Sequence, residues 1–335
     1  MKTLLITGGL GFIGSHFILQ EIEKGHKIIN LDINGYAADE RNLSAIQDHE
    51  NYIFVEGDIG DSQLVSKVLV DHNIAAVINF AAESHVDNSI NAPDVFIKTN
   101  IEGTYNLLQS SLAYYQNIEN KESFRFIHVS TDEVFGDLDF NAEEKFSEST
   151  AYNPRSPYSA SKAASDHLVK AWFHTFGLPT IVTNCSNNFG PHQHHEKLIP
   201  TIISSALSGK NIPIYGEGKN IRDWLFVKDH CQGISLALQK GHPGESYCFG
   251  GGEEKQNIEI AQHICNYLDN KKPKEDGQSY KDQISFVADR KGHDRRYAIN
   301  DQRSRSELGY TSTGDFESCL NETIEWYLDH EDRLS

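Results

Sequence analysis

The chain has 335 residues, 38% hydrophobic and 23% charged, enough to bury one large core or two unequal ones. Its 48 acidic and 30 basic side chains leave a net charge of −18 with no basic tail, which argues against a nucleic-acid or membrane-surface partner. Five scattered cysteines without a C-x-x-C pair exclude a disulfide framework and a zinc ribbon, and no apolar run is long enough to span a membrane.

The opening run Met1-Lys2-Thr3-Leu4-Leu5-Ile6 is largely apolar but soon broken by Gly8, Gly9 and Gly11, too short for a signal h-region, so a cytoplasmic chain is expected. Thr3–Thr7 reads as a strand, followed by the turn Gly8-Gly9-Leu10-Gly11-Phe12-Ile13-Gly14, a helical stretch over 15–24 and a second strand over 27–31 that ends at Asp32. Strand, glycine turn, helix, strand and acid make a dinucleotide-binding unit. The glycines admit a pyrophosphate, the helix N-terminus supplies partial positive charge, and Asp32 can bond ribose hydroxyls. A carboxylate there would repel a 2′-phosphate, so NAD is expected rather than NADP.

A third strand over 52–55 leads to Gly57-Asp58-Ile59, where Asp58 faces the adenine or serves a loop turn or helix cap. A fourth, over 76–80, opens into the small residues Ala81 and Ala82 and then Glu83-Ser84-His85. A long amphipathic helix is expected over 95–115, and a buried strand over 124–129 delivers Ser130-Thr131-Asp132-Glu133-Val134. Alternating strands and helices of this kind imply an α/β fold with a doubly wound parallel sheet, whose ligands bind beyond the strands' carboxyl ends. An isolated Asp-Glu at such a corner is ordinarily a solvated pair; its context decides. Because adjacent strand residues point to opposite faces, the chain must leave strand geometry by Asp132 for both acids to face one ligand.

Tyr158-Ser159-Ala160-Ser161-Lys162 follows Pro157, which suits a first helical turn, and places Tyr158 and Lys162 one turn apart on one face. A phenol used as a base near neutral pH needs roughly 4 kcal/mol of stabilisation for its anion. One ammonium about 4 Å away, at an effective dielectric near 20, supplies about that much. From Asn187 onward the pattern loosens into the profile of a smaller second layer. The segments 212–216 and 289–300 read as polar loops, and Arg222, Arg290, Arg295 and Arg296 offer bidentate partners for a diphosphate. The loop His192-Gln193-His194-His195 reads as a polar edge of the substrate pocket, and no metal is expected.

The glycine turn, Thr131 and Tyr158-x-x-x-Lys162 together resemble the extended short-chain dehydrogenase/reductase superfamily. Ser130-Thr131-Asp132-Glu133-Val134-Phe135-Gly136 is similar to one branch of it, the dTDP-glucose 4,6-dehydratases. So are Asn187-Asn188-Phe189-Gly190-Pro191, Glu196-Lys197-Leu198-Ile199-Pro200 and Gly292-His293-Asp294-Arg295-Arg296-Tyr297, and the likeness covers nearly the whole chain. It implies a Rossmann NAD-binding domain at 1–186 with a return segment near 224–250, and a smaller, mixed α/β nucleotide-sugar domain at 187–223 and 251–335. It further implies a homodimer through a four-helix bundle formed by the 95–115 helix and the one beginning at Tyr158.

By the same resemblance, Tyr158 with Lys162 deprotonates the C4 hydroxyl of a nucleotide-diphosphate glucose, Glu133 removes the C5 proton, Asp132 protonates the leaving C6 hydroxyl, and Thr131 bonds the C4 oxygen. Asp132 must be neutral and Glu133 ionised. Gly8, Gly11, Phe12, Ile13, Gly14, Asp32, Asp58, Ile59, Ala81, Ala82, Thr99, Tyr158, Lys162 and Asn188 would contact NAD. Ser84, Thr131, Asn187, Lys197, Leu198, Pro213, Tyr215, Arg222, Arg290 and His293 would line the sugar-nucleotide pocket. Cys248 stands where the family usually carries Asn, which removes a polar contact to nucleotide or sugar. The alternatives are a UDP-glucose 4,6-dehydratase and a nucleotide-sugar 4-epimerase; the epimerase would share Tyr158 and Lys162 but has no use for an acid-base pair at C5 and C6.

Overall fold

In the computed structural model, strand β1 (Thr3–Thr7) sends Leu4 and Ile6 into one apolar cluster and Leu5 into another, all three fully buried, so both faces of its sheet are covered. The structure describes residues 1–289, 292–312 and 314–334. After β1 come α1 (Phe12–Glu23), β2 (Lys27–Asp32), β3 (Tyr52–Glu56), α2 (Ser62–Asp71) and β4 (Ala76–Asn79). Three helical pieces follow, α3 (Val86–Asn91), α4 (Pro93–Phe96) and α5 (Thr104–Asn117), and then β5 (Arg125–Thr131), α6 (Pro157–Phe176) and β6 (Thr180–Cys185). The remaining elements are β7 (Asn187–Phe189), α7 (Leu198–Leu207), β8 (Ile212–Tyr215), β9 (Ile221–Phe226), α8 (Val227–Lys240), β10 (Ser246–Phe249), β11 (Glu254–Gln256), α9 (Asn257–Lys271), β12 (Ile284–Val287) and α10 (Phe316–Asp329).

Seven strands form one parallel sheet in the order β10-β6-β5-β4-β1-β2-β3. The order reverses beside β1, which has β2 on one side and β4 on the other, and a crevice opens past such a switch point. Two small sheets, β11-β9-β7 and β12-β8, form the second layer, so the fold is the doubly wound α/β architecture with a smaller mixed part. Strand β10 returns to the edge of the main sheet by pairing with β6. Among the described residues, no helix is long and apolar enough to cross a membrane.

Helix α6 starts where the local chemistry requires. Ser156 accepts the Ser159 amide, Ser159 returns a bond to the Ser156 amide, Pro157 occupies the first turn, and Gly177 ends the helix at φ +72°. Two expectations change. The helix expected over 95–115 is interrupted by a π turn at Ile97–Gly103, where the Asn100 side chain accepts the Glu83 amide and donates to the Glu83 carbonyl and to Ser161. The segment 212–216 is no loop: β8 pairs with β12, burying Ile212 and Ile214 while Pro213 and Tyr215 face outward. Four alternating residues are a faint strand signal, and Pro213 is tolerated because a two-stranded sheet consists of edges.

Candidate active site

The turn between β1 and α1 depends on close approach. Gly8 sits at φ +71°, where a Cβ would lie 2.6 Å from the Ala81 amide nitrogen, and a Cβ on Gly14 would lie 2.4 Å from the Gly8 carbonyl oxygen. Gly11 precedes α1 without a capping side chain, so the first-turn amides are left for a ligand. At the end of β2, Asp32 accepts the amides of Leu10 at 2.9 Å and Asn34 at 3.0 Å, while burial pushes its carboxyl up. Open amides beside an acid at the next strand end fit a dinucleotide: the amides and helix dipole meet its pyrophosphate and Asp32 meets its ribose.

A cleft of about 350 Å³ runs from this turn to the end of β5. It is lined by every residue expected at the cofactor: Gly8, Gly11, Phe12, Ile13, Gly14, Asp32, Asp58, Ile59, Ala81, Ala82, Thr99, Tyr158, Lys162 and Asn188. Asp58 accepts the Gly60 amide at 2.7 Å in a tight loop, and the cap of α2 is Asp61 instead. The π turn carries Thr99 to the cleft wall.

Strand β5 stops at Thr131, and Asp132–Phe135 forms a 3-10 turn capped by Thr131, whose hydroxyl accepts the Glu133 amide at 3.2 Å. That change of geometry brings both acids to the cleft. Asp132 is 1% exposed and its Oδ2 has no hydrogen-bond partner among the described residues. Burial first, then the charges of Glu133 and Asp223, push its carboxyl well above the carboxylate range, so Asp132 retains a proton. Half-buried Glu133 lies beside it on the cleft wall.

Tyr158 and Lys162 are buried one turn apart on α6. Burial, followed by the charge of Glu133, raises the phenol well above its ordinary value, and the Thr131 hydroxyl bonded to it opposes the rise. Lys162 donates to the Val129 carbonyl at 2.9 Å and lies 3.4 Å from Nε2 of His128. The Lys162 ammonium is thus directed at β5, and burial is the largest influence on the phenol, opposing its ionisation.

At the sugar end, Ser84, Thr131, Asn187 and Lys197 line the cleft, with Lys197 donating to the Ser84 carbonyl at 3.2 Å. Leu198 is the first residue of α7 and, with Pro213, Tyr215, Arg222 and His293, is not part of that lining. Tyr215 donates to Asp87 at 3.4 Å and meets the His293 ring edge-on at 6.1 Å. Arg290 lies outside the described residues. The arginines expected to meet a diphosphate are otherwise engaged. Arg222 is buried, donates to the carbonyls of Ile221 and Asp294 and stacks over Tyr297; Arg295 pairs with Asp137 and Asp139, and Arg296 with Glu254. Cys248 is fully buried in an apolar cluster with Val134, Phe135 and Phe146 and lines no part of the cleft, so the thiol costs no polar contact there.

Several cleft residues escaped sequence reasoning. Tyr36 donates to Glu196, and His85 Nε2 and His194 Nδ1 lie 3.6 and 3.7 Å from the same carboxylate. These contacts join the loops after β2, after β4 and ahead of α7, all of which border the cleft. Of the histidine-rich loop, Gln193 and His194 reach the cleft, whereas His192 turns away at φ +68° to stack on His16 and meet Trp326. His85 Nδ1 accepts the Asn88 amide, so Nε2 carries the ring proton toward Glu196 and has no lone pair to give a metal. Nothing in the period of the chain marks Tyr36; its only signal is that it follows Asp32 closely.

The model of the family described as GDP-mannose 4,6 dehydratase matches residues 5–323. The dTDP-glucose 4,6-dehydratase of Xanthomonas campestris pv. campestris (strain B100) is 51% identical over 98% of this chain and 93% of its own length. Among solved structures, the dTDP-glucose 4,6-dehydratase of Bacillus anthracis in complex with NAD superposes with a TM-score of 0.87 at 40% identity, covering 99% of this chain and 98% of that one. The dTDP-glucose 4,6-dehydratase of Streptomyces venezuelae, solved with NAD and TYD bound, gives 0.90 at 40% identity over 98% of each chain. With its nucleotide turn, Tyr158-x-x-x-Lys162 helix and acid pair all on one cleft, the chain belongs to the GDP-mannose 4,6 dehydratase family of extended short-chain dehydrogenases/reductases.

Proposed function

We infer that the chain is an NAD-dependent lyase that converts dTDP-glucose to dTDP-4-keto-6-deoxyglucose and water. The observation that carries the reading is the 3-10 turn at the end of β5, which presents a fully buried Asp132, whose carboxyl is pushed by burial well above the usual range, beside Glu133 on the cleft that Tyr158 shares. Bound NAD supplies the hydride acceptor for C4 and the donor for C6, and is regenerated in each turnover.

The chain's own residues move the protons. Tyr158 takes the proton of the C4 hydroxyl, with Lys162 behind it and Thr131 bonding the C4 oxygen. The C4 ketone acidifies C5, Glu133 removes the C5 proton, and Asp132 gives its proton to the C6 hydroxyl, which leaves as water. Gly8, Gly11, Phe12, Ile13, Gly14, Asp32, Asp58, Ile59, Ala81, Ala82, Thr99 and Asn188, with Tyr158 and Lys162, hold the cofactor; Ser84, Asn187 and Lys197 meet the sugar nucleotide. The unit 1–186 with its return over 224–250 is read as the NAD-binding part, and 187–223 with 251–335 as the sugar-nucleotide part. A cytoplasmic homodimer completes the reading. Exposed Tyr105 on α5 packs edge-on to Trp172, which meets exposed Phe176 on α6, an apolar patch that suits a four-helix bundle with a second copy.

A 4-epimerase leaves Asp132 and Glu133 without work, and a UDP base has no observation in its favour. Incubation with dTDP-glucose and with UDP-glucose separates the readings: the 4-keto-6-deoxy product from dTDP-glucose supports the lyase, and a C4 epimer or unchanged sugar from both donors contradicts it.

A further inference from the structure

Behind the cleft wall lies a buried polar network of which the proposed mechanism uses only Lys162. Asp166, one turn beyond Lys162 on α6, is fully buried. Its Oδ2 accepts from Ser130 Oγ at 2.9 Å, Tyr152 OH at 2.9 Å and Asn184 Nδ2 at 3.3 Å. Its Oδ1 faces His128 Nε2 at 3.4 Å, and that same nitrogen lies 3.4 Å from Lys162 Nζ.

The proton positions follow from the chain of partners. Thr7 Oγ1 donates to Asn79 Oδ1 at 2.6 Å, which turns the Asn79 amide nitrogen toward His128 Nδ1 at 3.1 Å. His128 Nδ1 is therefore an acceptor, and Nε2 carries the ring proton toward Ser165 Oγ at 3.3 Å, whose own hydrogen goes to the Lys162 carbonyl; Asp166 Oδ1 lies 3.4 Å from Nε2 without accepting from it. Tyr152 accepts from Lys170 at 3.3 Å, so its own hydrogen goes to Asp166. Ser130, Tyr152 and Asn184 all direct hydrogens at Oδ2, while Oδ1 is buried without a hydrogen-bond partner among the described residues. Three donors on one oxygen suit an anion, and Lys162 is a buried cation beside it: each lies 3.4 Å from His128 Nε2, and no direct ion pair joins the two.

We propose that Asp166 is the buried counter-ion of Lys162, a positioning residue that keeps the lysine charged for hydride transfer and, through Ser130, ties that charge to the strand end presenting Thr131, Asp132 and Glu133. Ser130 immediately precedes the acid-bearing turn, so one carboxylate braces both halves of the site. Burial pushes Lys162 down and Asp166 up, and each opposes the other's shift by attraction. The titratable groups around the pair are His128 from β5, Cys185 at the end of β6, Tyr152 from the loop ahead of α6, and Lys170 and Tyr158 on α6 itself; Asp132 and Glu133 follow on the 3-10 turn. His128 is held neutral by burial and by Lys162, leaving Asp166 to balance the ammonium.

The inference rests on Tyr158 and Lys162 serving the hydride step, which wild-type turnover of dTDP-glucose establishes separately. The test is the pH dependence of NAD reduction when NAD-bound enzyme is mixed with dTDP-glucose in a single turnover, a step that precedes the work of Asp132. In Asp166→Asn the alkaline limb moves to lower pH by about one unit or more, while KM stays within about threefold of wild type. Ser130→Ala, which deletes one of the three bonds to the anion and loosens the strand end but leaves the carboxylate, slows the step and moves the limb by less than Asp166→Asn. Tyr152→Phe, which deletes a bond to the anion, moves the limb the same way by less and answers the question should Asp166→Asn not fold. A limb unmoved in the folded Asp166→Asn protein, or in Tyr152→Phe where that protein fails to fold, overturns the proposal. So does an equal displacement in Ser130→Ala.

Discussion

Asp132 and Glu133 are neighbours in sequence with opposite proposed tasks, and their surroundings separate them. Asp132 is sealed among Thr131, Asp223 and the apolar cluster behind the 3-10 turn, so its proton is retained; Glu133 lies half-buried on the cleft. Glu133→Gln is expected to lower turnover by about 10²- to 10⁴-fold while NAD is still reduced on mixing with dTDP-glucose. In deuterated water the C5 hydrogen should then remain unexchanged, as followed by mass spectrometry. Exchange at the wild-type rate would mean that another group is the base. Much of this was legible beforehand: a hydroxyl and two acids after an apolar run required a break in strand geometry, and the 3-10 turn supplies it. The protonation of Asp132 was not, because Asp223 comes from β9, far along the chain.

At the level of elements, the loops that rim the cleft are joined by contacts no local pattern announces. Tyr36 reaches Glu196 across 160 residues, and the bond ties the loop after β2 to the one ahead of α7. Tyr36→Phe removes that tie and is expected to speed the release of bound NAD about tenfold, measured as loss of cofactor during gel filtration; unchanged retention would show that the tie does not hold the cofactor. The first nucleotide-binding unit could be read from the chain because strand, glycines, helix and Asp32 are contiguous. The π turn could not, since its cause is Asn100 bonding Glu83 across 17 residues. Nor could the engagement of Arg295 and Arg296, whose carboxylates lie 158 and 42 residues away.

The same long-range packing makes a pH prediction. Burial lowers His16 to about 4, and His192 and His230 each to about 3, so all three are neutral in the folded protein near pH 7. In the unfolded chain they regain ordinary values near 6.5, and the unfolded state binds more protons below that pH. Stability is therefore fully present above about pH 6.5 and falls as pH drops toward 4, by about 1.4 kcal/mol per pH unit for each histidine. Urea midpoints at pH 7.5 and 5.5 should differ accordingly, and His192→Phe should narrow the gap; a midpoint insensitive to pH would contradict the burial argument.

For the whole molecule, one sheet organises both ends of the chemistry. The switch at β1 opens the crevice, β2 and β4 bound the cofactor, and β5 ends in the acid pair, while α6 carries Tyr158, Lys162 and Asp166 against it. The outward side of the same helix layer bears Tyr105 and Phe176. Phe176→Asp is expected to convert the proposed dimer to a monomer, read by light scattering across a concentration series; an unchanged mass would place the dimer contact elsewhere or deny it. The central claim is the dehydration itself, and product analysis after incubating the NAD-bound protein with dTDP-glucose tests it most directly. The 4-keto-6-deoxy sugar nucleotide, with the C4 hydrogen recovered at C6, is the expected result; a C4 epimer, or glucose returned unchanged, would contradict it.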